Sequence, residues 1–345
     1  MALIELSLKE RCDVMRKILC AVQMNWSADN YRNKAAFEKK IRSVMEQLHK
    51  EIPYKKGEAL VVFPEDVGTP LVFLDAPGWV FDAKSLQGAV KRIIACHVFN
   101  VAVHRIRYKV SWIRALALAR SRTIAQVYFD TFSRIAMEYG AYIVAGSVLL
   151  PDFKQMDERS KDYSPKDGNI YNVCYLFGPD GEIIGSQKKV YLVPGLEDRS
   201  GLDISNGSIG ELKVFDSPFG KLGIAICLDG FQQDVAETLV NLGAEILIQP
   251  SANCNPWDKT QQEGWMESVW KYVDSQPFRY GLNPMMNGCL FDLCFEGQSS
   301  ILKKDNPAEI KMGYKDLQPA SHFVKVAKSH DKQEILTLTV NENDM

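Results

Sequence analysis

The chain has 345 residues, of which 46% are hydrophobic and 24% charged, and its formal net charge is −2. This composition is typical of a folded globular protein with a large core, and the charge excludes a general attraction for nucleic acid, so no nucleic-acid partner is expected. The sequence has no signal-peptide pattern and no apolar run of about 18 residues, which leads us to expect a cytoplasmic protein without a membrane-spanning helix.

The first 150 residues alternate short apolar runs with segments of helical periodicity. The predicted elements are strand 19–24, helix 31–50, strand 59–63, a mostly helical segment 75–140 and strand 141–150. Glu65 follows the second of these strands, where the chain leaves a buried run for a loop. Considered alone, this glutamate is most simply a solvated loop carboxylate.

Residues 91–122 form an unusual basic segment within the helical part of the chain. The segment carries eight lysines and arginines, and no acidic residue occurs between Asp82 and Asp130. It could be an amphipathic element for an anionic membrane surface or a protein partner, or a cationic helical face packed on the domain or in an oligomer interface. We favour the second interpretation, because charge runs are usually solvated faces. His97 and His104 also lie here, but no acid or cysteine completes a metal site.

The second half of the chain contains hairpins followed by further strands and helices. The predicted elements are hairpin 169–193, hairpin 211–226, helix 232–242, a strand within 243–253, helix 259–276, a strand and hairpin within 285–302 and strand 334–340. Lys189 lies near the end of the first hairpin, where a surface lysine on an edge strand is its simplest interpretation. The alternation of strands and helices favours one α/β domain.

Cys227 ends the apolar run 222–226 and is followed by Asp229 and Gly230. A thiol at the point where a buried strand bends toward a helix is held rigidly at one edge of a sheet, as in a nucleophile elbow. A free cysteine is more often a small buried core residue. The eight cysteines include no Cys-x-x-Cys pair, so we expect neither a zinc site nor a disulfide scaffold, and we expect all thiols to be free.

Three strand-end residues occur in a distinctive order: Glu65 in VVFPEDV, Lys189 in QKKVYLVPGLED and Cys227 in IAICLDGF. In order, context and spacing, these motifs resemble the nitrilase-like carbon–nitrogen hydrolase superfamily, whose members carry a catalytic glutamate, lysine and cysteine. Flanking segments agree, including the Pro-x-x-Glu pattern that ends at Glu197 and Pro-Ser-Ala at 250–252. The resemblance covers nearly the whole chain and reverses the interpretation of Cys227 as a core residue.

The resemblance implies a four-layer α-β-β-α sandwich of two mixed sheets, each covered by helices on one side and packed on the other sheet. It also implies a homodimer or higher homo-oligomer, formed through helices near the cysteine. We expect a single carbon–nitrogen hydrolase domain over 1–345, with an extended basic helical insertion at about 75–135 that the resemblance does not cover. Tyr191 stands where many members have histidine, which is not a triad position.

The roles that the resemblance implies agree with elementary thiol chemistry. A thiol of ordinary pKa is only slightly ionised at neutral pH, and Glu65 would accept the proton of Cys227 if burial raises the pKa of the carboxyl group. Lys189 and the backbone N–H of Leu228 would stabilise the oxyanion. Glu197 matches the family's second glutamate and is a candidate for orienting substrate and holding Lys189. No cofactor and no metal is expected.

The predicted reaction is thiol-dependent hydrolysis of a small amide or carbamoyl compound through a cysteine thioester, with release of ammonia or an amine. The Cys-x-Asp-Gly form at 227–230 favours amides, since nitrilases commonly carry Trp-Glu after the cysteine. A nitrilase or an N-acyltransferase with the same triad is an alternative. An alternative of another class is an interaction or membrane-surface protein that uses 91–122, and peripheral membrane contact there is not favoured.

Overall fold

The computed structural model describes residues 16–154, 163–305 and 312–340, and strands and helices alternate along these ranges. The strands are β1 (Lys17–Ser27), β2 (Ala59–Val62), β3 (Tyr142–Leu150), β4 (Tyr171–Phe177), β5 (Ile183–Lys188), β6 (Val214–Phe215), β7 (Leu222–Ile224), β8 (Ile246–Ile248), β9 (Ser251–Ala252), β10 (Tyr280–Asn283), β11 (Met285–Leu290), β12 (Leu293–Phe295), β13 (Ser300–Lys303), β14 (Phe323–Val326) and β15 (Glu334–Val340). The helices are α1 (Lys34–Glu51), α2 (Gly78–Phe81), α3 (Leu86–Cys96), α4 (Val98–Tyr108), α5 (Trp112–Tyr139), α6 (Gln233–Asn241), α7 (Lys259–Trp265) and α8 (Lys271–Ser275).

These strands form two mixed sheets. The larger sheet has the order β12-β11-β1-β2-β3-β4-β5, with β15 also paired to β1 and β9 paired to β11. Its centre, from β1 through β2 to β3, is parallel, and β3, β4 and β5 continue as an antiparallel meander. The smaller sheet has the order β14-β13-β10-β8-β7-β6, with β7, β8 and β10 parallel. Ligands bind beyond the carboxyl ends of such parallel strands in open α/β sheets.

Alternate residues of β2 are buried on opposite faces of the larger sheet, which identifies this sheet as an inner layer. On one face, Val61 packs in a core that includes residues of α1 and α5. On the other face, Leu60 and Val62 pack in a second core with strands of the smaller sheet and with α6 and α8. The predicted fold is therefore confirmed: helices, two face-to-face sheets and further helices form a four-layer α-β-β-α sandwich.

The segment 75–140, predicted to be mostly helical, contains α2, α3, α4 and α5. Ser111 begins α5 by accepting a hydrogen bond from the backbone N–H of Arg114, which satisfies a donor that has no partner within the helix. Gly140 ends α5 at a φ of 59°, a left-handed conformation that glycine adopts readily. Helix α4 buries only Val101. Within the described part of the chain, no helix is long and apolar enough to cross a membrane.

The structure departs from the sequence-based expectations at two strands, at one covalent bond and in the helix predicted over 259–276, which is interrupted at Ser268. Strands β10 and β14 are each four residues long, too short for a clear periodicity. The expectation that all thiols are free is wrong for Cys289 and Cys294, which form a disulfide with a Cα–Cα distance of 4.0 Å. They are opposite each other in the β11–β12 hairpin, and such directly opposed residues approach closely. Cys12 and the rest of residues 1–15 lie outside the described ranges.

Candidate active site

The ends of β2, β5 and β7 bring the three predicted triad residues to one cavity. Glu65 follows β2, Lys189 follows β5 and Cys227 follows β7, and all three line the same space. The two sheets are packed face to face, so strand ends from both can share an edge of the sandwich. Glu197 and Leu228, the other two residues singled out from the sequence, line this cavity as well.

Lys189 is the centre of a buried charged cluster that also contains Glu65 and Glu197. The Nζ atom of Lys189 donates to Glu65 Oε1 at 2.8 Å and to Glu197 Oε2 at 2.7 Å. Only 1% of Lys189, 3% of Glu65 and 5% of Glu197 is exposed to solvent. Removing charges from water costs several kcal/mol per ion unless they are paired and hydrogen-bonded, and this pairing makes the burial of the cluster tolerable.

Asn172, on β4, is a site residue that no sequence motif marks. Its Nδ2 donates to Glu65 Oε1 at 2.9 Å and to Glu197 Oε1 at 3.1 Å. Glu197 Oε2 also accepts the backbone N–H of Val193 at 2.8 Å. The only sequence signal for Asn172 is a polar amide inside an apolar strand, since buried amides need hydrogen-bond partners. The asparagine bridges the two carboxylates and holds them around the lysine.

The pKa values of the charged cluster follow from its burial and its unequal charges. Burial raises the pKa of Glu65 to about 8 against the opposing effect of Lys189, and Asp66 and Glu197 add to the rise. Burial lowers the pKa of Lys189, but Glu65, Cys227 and Glu197 together raise it well above its usual value. The ammonium therefore stays charged, and the pKa of the Glu65 carboxyl group lies near neutral pH.

Cys227 lies in a tight bend shortly after β7. Its φ is 48°, a left-handed conformation that costs a non-glycine residue on the order of 1 kcal/mol or more. The backbone N–H donates to Pro250 O at 2.9 Å, and Sγ lies 3.7 Å from Ala252 O. Burial and Glu65 raise the pKa of the thiol well above its usual value, although Lys189 lowers it. The resting thiol is protonated and needs a base to become a nucleophile.

Gln249 supports the bend that carries Cys227. Its Nε2 donates to the Cys227 carbonyl at 2.9 Å, and its Oε1 accepts the N–H of Val269 at 3.2 Å. The single helix predicted over 259–276 is interrupted here, with a kink at Ser268 (φ −107°, ψ −127°). A regular helix would use the Val269 N–H within its own ladder. The kink therefore allows this segment to hold the cysteine bend through Gln249.

Asp229 joins the cysteine bend to the chain that follows Lys189. Its carboxylate accepts the N–H of Val190 at 3.1 Å and that of Tyr191 at 2.7 Å. Burial raises the pKa of Asp229 to about 6, although these hydrogen bonds lower it. The Asp229 side chain does not line the cavity. The Cys-x-Asp-Gly form, interpreted from the sequence as a hint toward amide substrates, therefore has a positioning role between two strand ends.

A cavity of about 540 Å³ adjoins the charged cluster, a volume within the range of small-molecule sites. Beyond the cluster its walls are largely apolar and come from α3, α5 and the β11–β12 hairpin, among other segments. Among the described residues, no group of three histidine, cysteine, aspartate or glutamate side chains could hold a metal ion. The reactive groups that line this cavity include the thiols of Cys227 and Cys254, the buried carboxyl group of Glu65 with its raised pKa, and the ammonium group of Lys189.

An α-β-β-α sandwich with a cysteine, a lysine and a glutamate at its strand ends has the architecture of the nitrilase superfamily. The profile of the carbon–nitrogen hydrolase family matches residues 19–271. The chain belongs to the carbon–nitrogen hydrolase family.

Curated relatives resemble the chain over part of their length. Omega-amidase NIT2-B of Xenopus laevis is 30% identical over 128 residues, which are 36% of this chain and 41% of that protein. Probable hydrolase YhcX of Bacillus subtilis is 30% identical over 136 residues, which are 39% of this chain and 23% of that protein. The chain thus matches less than half of the length of these relatives.

Solved structures resemble the chain over nearly its whole length. Nit3 of Saccharomyces cerevisiae, a member of branch 10 of the nitrilase superfamily, has a TM-score of 0.57 at 18% identity, covering 95% of this chain and 91% of Nit3. A carbon-nitrogen hydrolase of Helicobacter pylori G27 has a TM-score of 0.60 at 17% identity, with 95% and 91% covered. A mutant amidase of Nesterenkonia sp. AN1, with acrylamide added at its active-site cysteine, has a TM-score of 0.58 at 13% identity, with 93% and 92% covered. These TM-scores show a shared fold.

Proposed function

We propose that the protein hydrolyses the C–N bond of an amide through a thioester on Cys227. The observation that carries this proposal is the buried Glu65–Lys189 pair, which lines the same cavity as the thiol. A nucleophile, a base and an oxyanion stabiliser around one space are the parts that acyl transfer requires. Membership of the carbon–nitrogen hydrolase family supports C–N hydrolysis, and the omega-amidase name of a relative supports an amide as substrate.

Glu65 acts as the general base of the first step. Its carboxylate takes the proton of Cys227 Sγ while the sulfur attacks the amide carbonyl carbon, so that a C–S bond forms and the carbonyl electron pair moves to the oxygen. A general base works best when its pKa lies near the operating pH. The pKa of about 8 for Glu65 meets this condition, whereas an exposed glutamate would be too weak a base.

Lys189 stabilises the oxyanion, together with the backbone N–H of Leu228. Removal of one such donor costs about 3–4 kcal/mol of transition-state stabilisation in other acyl-transfer enzymes. Glu197 holds the Lys189 ammonium at 2.7 Å, and Asn172 holds both carboxylates. The cation therefore reaches the developing charge without a rearrangement of the site, which is the condition for strong electrostatic catalysis.

Collapse of the tetrahedral intermediate breaks the C–N bond. Protonated Glu65 gives its proton to the departing nitrogen, which leaves as ammonia or an amine, and the thioester remains on Cys227. In the second half, Glu65 takes a proton from water as the oxygen attacks the thioester carbonyl. The C–S bond then breaks, the carboxylic acid leaves and the thiol regains a proton from Glu65.

The decisive experiment follows the thioester on purified protein. With primary amides as substrates, Cys227→Ala is expected to lower the release of ammonia by at least about a thousandfold, and mass spectrometry of quenched wild-type enzyme should find the acyl group on the peptide that contains Cys227. Cys96→Ala is the matched control, because this free thiol lies on α3 and does not line the cavity. Release of ammonia that survives Cys227→Ala would contradict the mechanism. Addition of an amine acceptor distinguishes hydrolysis from acyl transfer by the product formed.

We also propose that 1–345 forms a single domain, with the basic helices within about 75–135 as an addition to the family's sandwich, and that the protein assembles as a homodimer or higher homo-oligomer. Packing of α5 in the same core as α1 and β2 supports the single domain. Deletion of 75–135 is expected to unfold the protein, because Tyr128 and Phe132 of α5 are buried in that core. Sedimentation velocity measures the oligomeric state, and a monomer at all concentrations would contradict the assembly.

A further inference from the structure

The apolar walls of the cavity point to the class of substrate. We propose that the site takes amides whose acyl group is a long, uncharged apolar chain. This inference rests on the function proposed above, and it concerns the part of the substrate that does not react. Three observations carry it: the composition of the walls, the distribution of charge and the way in which two walls are joined.

The walls beyond the charged cluster are built from large apolar side chains on separate elements. Helix α3 contributes Leu86 and Val90, α5 contributes Ile113 and Leu116, and the β11–β12 hairpin contributes Leu293. These side chains cannot hydrogen-bond a polar group, and the uncharged polar side chains of the lining include only Thr69, Asn253, Asn255 and Gln261 among the described residues. A polar acyl chain that lies along the apolar walls would therefore lose its contacts with water without replacement there. An alkyl chain would instead gain roughly 0.8 kcal/mol, or about fourfold in affinity, for each methylene group that it buries.

The charges of the cavity argue against a second acidic group on the substrate. Its charged lining residues are Glu65, Asp66, Glu197 and Lys189. Among the lining residues that the structure describes, Lys189 is the one cation, and it is already bonded to two carboxylates. A substrate carboxylate would therefore find no free counter-ion among these residues and would face three acids. A buried unpaired charge is strongly unfavourable. This lining therefore selects against amides of dicarboxylic acids and for uncharged acyl groups.

A hydrogen bond joins α3 to the β11–β12 hairpin, and both elements line the cavity. The backbone N–H of Leu86, at the start of α3, donates to Asp292 Oδ1 at 2.7 Å. Asp292 lies in the turn of the hairpin that the Cys289–Cys294 disulfide closes. The apolar space is thus formed before a substrate arrives, and a preformed pocket costs little ordering entropy on binding.

The test is a series of straight-chain primary amides, from acetamide to about twelve carbons, with a ω-carboxyl amide of matched length. The value of kcat/KM is expected to rise roughly fourfold per methylene until the cavity is full, and the ω-carboxyl amide is expected to react at least about tenfold more slowly than its uncharged match. Ala117→Phe, which adds a ring to the cavity wall on α5, should shorten the preferred chain. Gln126→Phe, at an exposed position of the same helix, is the matched control and should leave the preference unchanged.

Two outcomes overturn the inference without touching the proposed function: hydrolysis that is indifferent to chain length, or a preference for the ω-carboxyl amide. Hydrolysis of no amide would contradict the proposed function instead. In that case, calorimetric titration of the Cys227→Ala variant with the same amides tests the inference through binding alone, without hydrolysis. An affinity that rises with chain length would support it. Absence of binding to every amide overturns it.

A second inference comes from the outer face of α4, which is independent of the cavity. Phe99, Val103 and Ile106 have the i, i+4, i+7 spacing of one helix face, and Phe99 is 87% and Ile106 74% exposed. Trp112, at the start of α5, adds an exposed ring. Contiguous exposed apolar side chains of this size mark interaction surfaces. We infer that this apolar face docks on an anionic lipid surface.

The charges around the apolar face support a lipid surface as its occupant. Arg105, Arg107 and Lys109 are exposed next to it, and none of them forms a salt bridge with a described carboxylate. Arg105 instead lies over the Trp112 ring at 4.9 Å. An amphipathic helix with exposed large apolar residues and arginines is the pattern of interfacial membrane binding.

A second copy of the chain fits this face less well than a lipid surface does. A twofold interface places the same patch of both subunits in contact, so the cations of α4 would face their own copies. No acidic residue lies between Asp82 and Asp130 to compensate them. Phospholipids with anionic headgroups offer both an apolar layer for Phe99 and Ile106 and negative charge for Arg105 and Arg107.

Vesicle flotation tests the docking with the full chain. The protein is expected to float with vesicles of phosphatidylcholine and phosphatidylglycerol, and to lose on the order of a hundredfold in affinity with Arg105→Gln, Arg107→Gln and Lys109→Gln combined. A matched triple change at exposed lysines elsewhere in the chain, Lys325→Gln, Lys328→Gln and Lys332→Gln, should leave binding unchanged. Phe99→Ser with Ile106→Ser should release the protein from the same vesicles.

Four outcomes overturn the docking inference. The first three are no flotation, equal flotation with vesicles of phosphatidylcholine alone, and an equal loss of binding in the α4 triple variant and in the control triple variant. A fourth is an oligomer in sedimentation velocity that Phe99→Ser with Ile106→Ser converts to monomers, because a second copy would then occupy the face. Salt screens the attraction between exposed arginines and anionic headgroups, over a distance of about 10 Å at 0.1 M salt. Binding to the vesicles that weakens as salt is added therefore supports the inference.

Discussion

The charged cluster and the helical wall, meaning the cavity-facing parts of α3 and α5, enclose one space by different physical means. Hydrogen bonds of 2.7 to 3.1 Å hold Lys189, Glu65, Glu197 and Asn172 in one arrangement. The helical wall meets the cavity with aliphatic side chains, whose contacts have no preferred direction. A directional network has one good geometry, whereas an apolar wall accepts several shapes of similar energy.

The charged cluster and the helical wall should respond differently to substitution. A substitution in the charged cluster leaves a buried charge without its partner and should damage catalysis and stability together. A substitution in the helical wall changes only the apolar area available to a substrate and should alter binding more than chemistry. Changes in the charged cluster are therefore expected to have larger effects than changes in the helical wall.

Lys189→Met is expected to have the largest effect. Two buried carboxylates lose their cation, so the free energy of unfolding should fall by about 3–5 kcal/mol and amide hydrolysis by at least about a thousandfold. Burial raises the pKa of Glu65 and Lys189 opposes that rise, so loss of the cation raises this pKa further and folding then favours the protonated form of Glu65. The lost stability should therefore return at acidic pH and disappear again as the pH rises. Urea denaturation of the variant and the wild type, at an acidic pH and at an alkaline pH, measures this change in the free energy of unfolding.

Lys188→Met is the matched control for that change, one residue earlier in the chain. Lys188 is half-buried and pairs with Asp152 at 2.9 Å near the surface. Loss of such a pair should cost no more than about 1 kcal/mol. Similar losses for the two lysines would contradict the distinction between the charged cluster and an ordinary surface ion pair.

Asp229→Asn is expected to lower kcat by on the order of a hundredfold with little change in KM. The carboxylate positions the chain after Lys189 through the N–H groups of Val190 and Tyr191, and a displacement of about 1 Å in a site can cost about a hundredfold. Asp234→Asn serves as the control, because Asp234 accepts from the Tyr191 hydroxyl on the exterior. Steady-state kinetics that show a rise in KM alone would indicate substrate contact and refute the positioning role.

The dependence of kcat/KM on pH should show whether Glu65 is the general base. With the pKa of Glu65 at about 8, kcat/KM should fall about tenfold for each pH unit below that value, because the protonated carboxyl group cannot accept the thiol proton. The activity should rise to a plateau above about pH 8. Glu65→Gln should remove the activity over the whole range. A profile that is flat through neutral pH would show that another group is the base.

Val90→Ala is expected to have the smallest effect. It removes two methyl groups from the helical wall, where Val90 is half-buried. The KM for an apolar amide should rise roughly fivefold and kcat should stay within about twofold. A fall in kcat with unchanged KM would mean that the helical wall takes part in the chemistry. It would contradict the assignment of catalysis to the charged cluster and of substrate binding to the helical wall.

The pattern of apolar runs is sufficient to predict most of the fold. Strands β1, β2, β3 and β15 are apolar enough to be recognised, and α1 and α6 show helical spacing. The short strands β10 and β14 are held by pairing with β13, so their existence depends on a neighbour that is remote in the sequence. The kink at Ser268 depends in the same way on Gln249. These elements depend on partners that are remote in the sequence, so local periodicity does not predict them.

The sequence identified the candidate site residues, because Glu65, Lys189 and Cys227 lie in motifs that are distinctive when their order and context are taken together. Tertiary structure decided their surroundings. Only the folded chain distinguishes Lys189, which is buried between two carboxylates, from Lys188 beside it, and only folding brings Asn172 to the cluster. The apolar cavity likewise depends on three segments that meet in space. Motifs encode local chemistry, whereas burial, which sets pKa values and substrate selection, is a property of the whole fold.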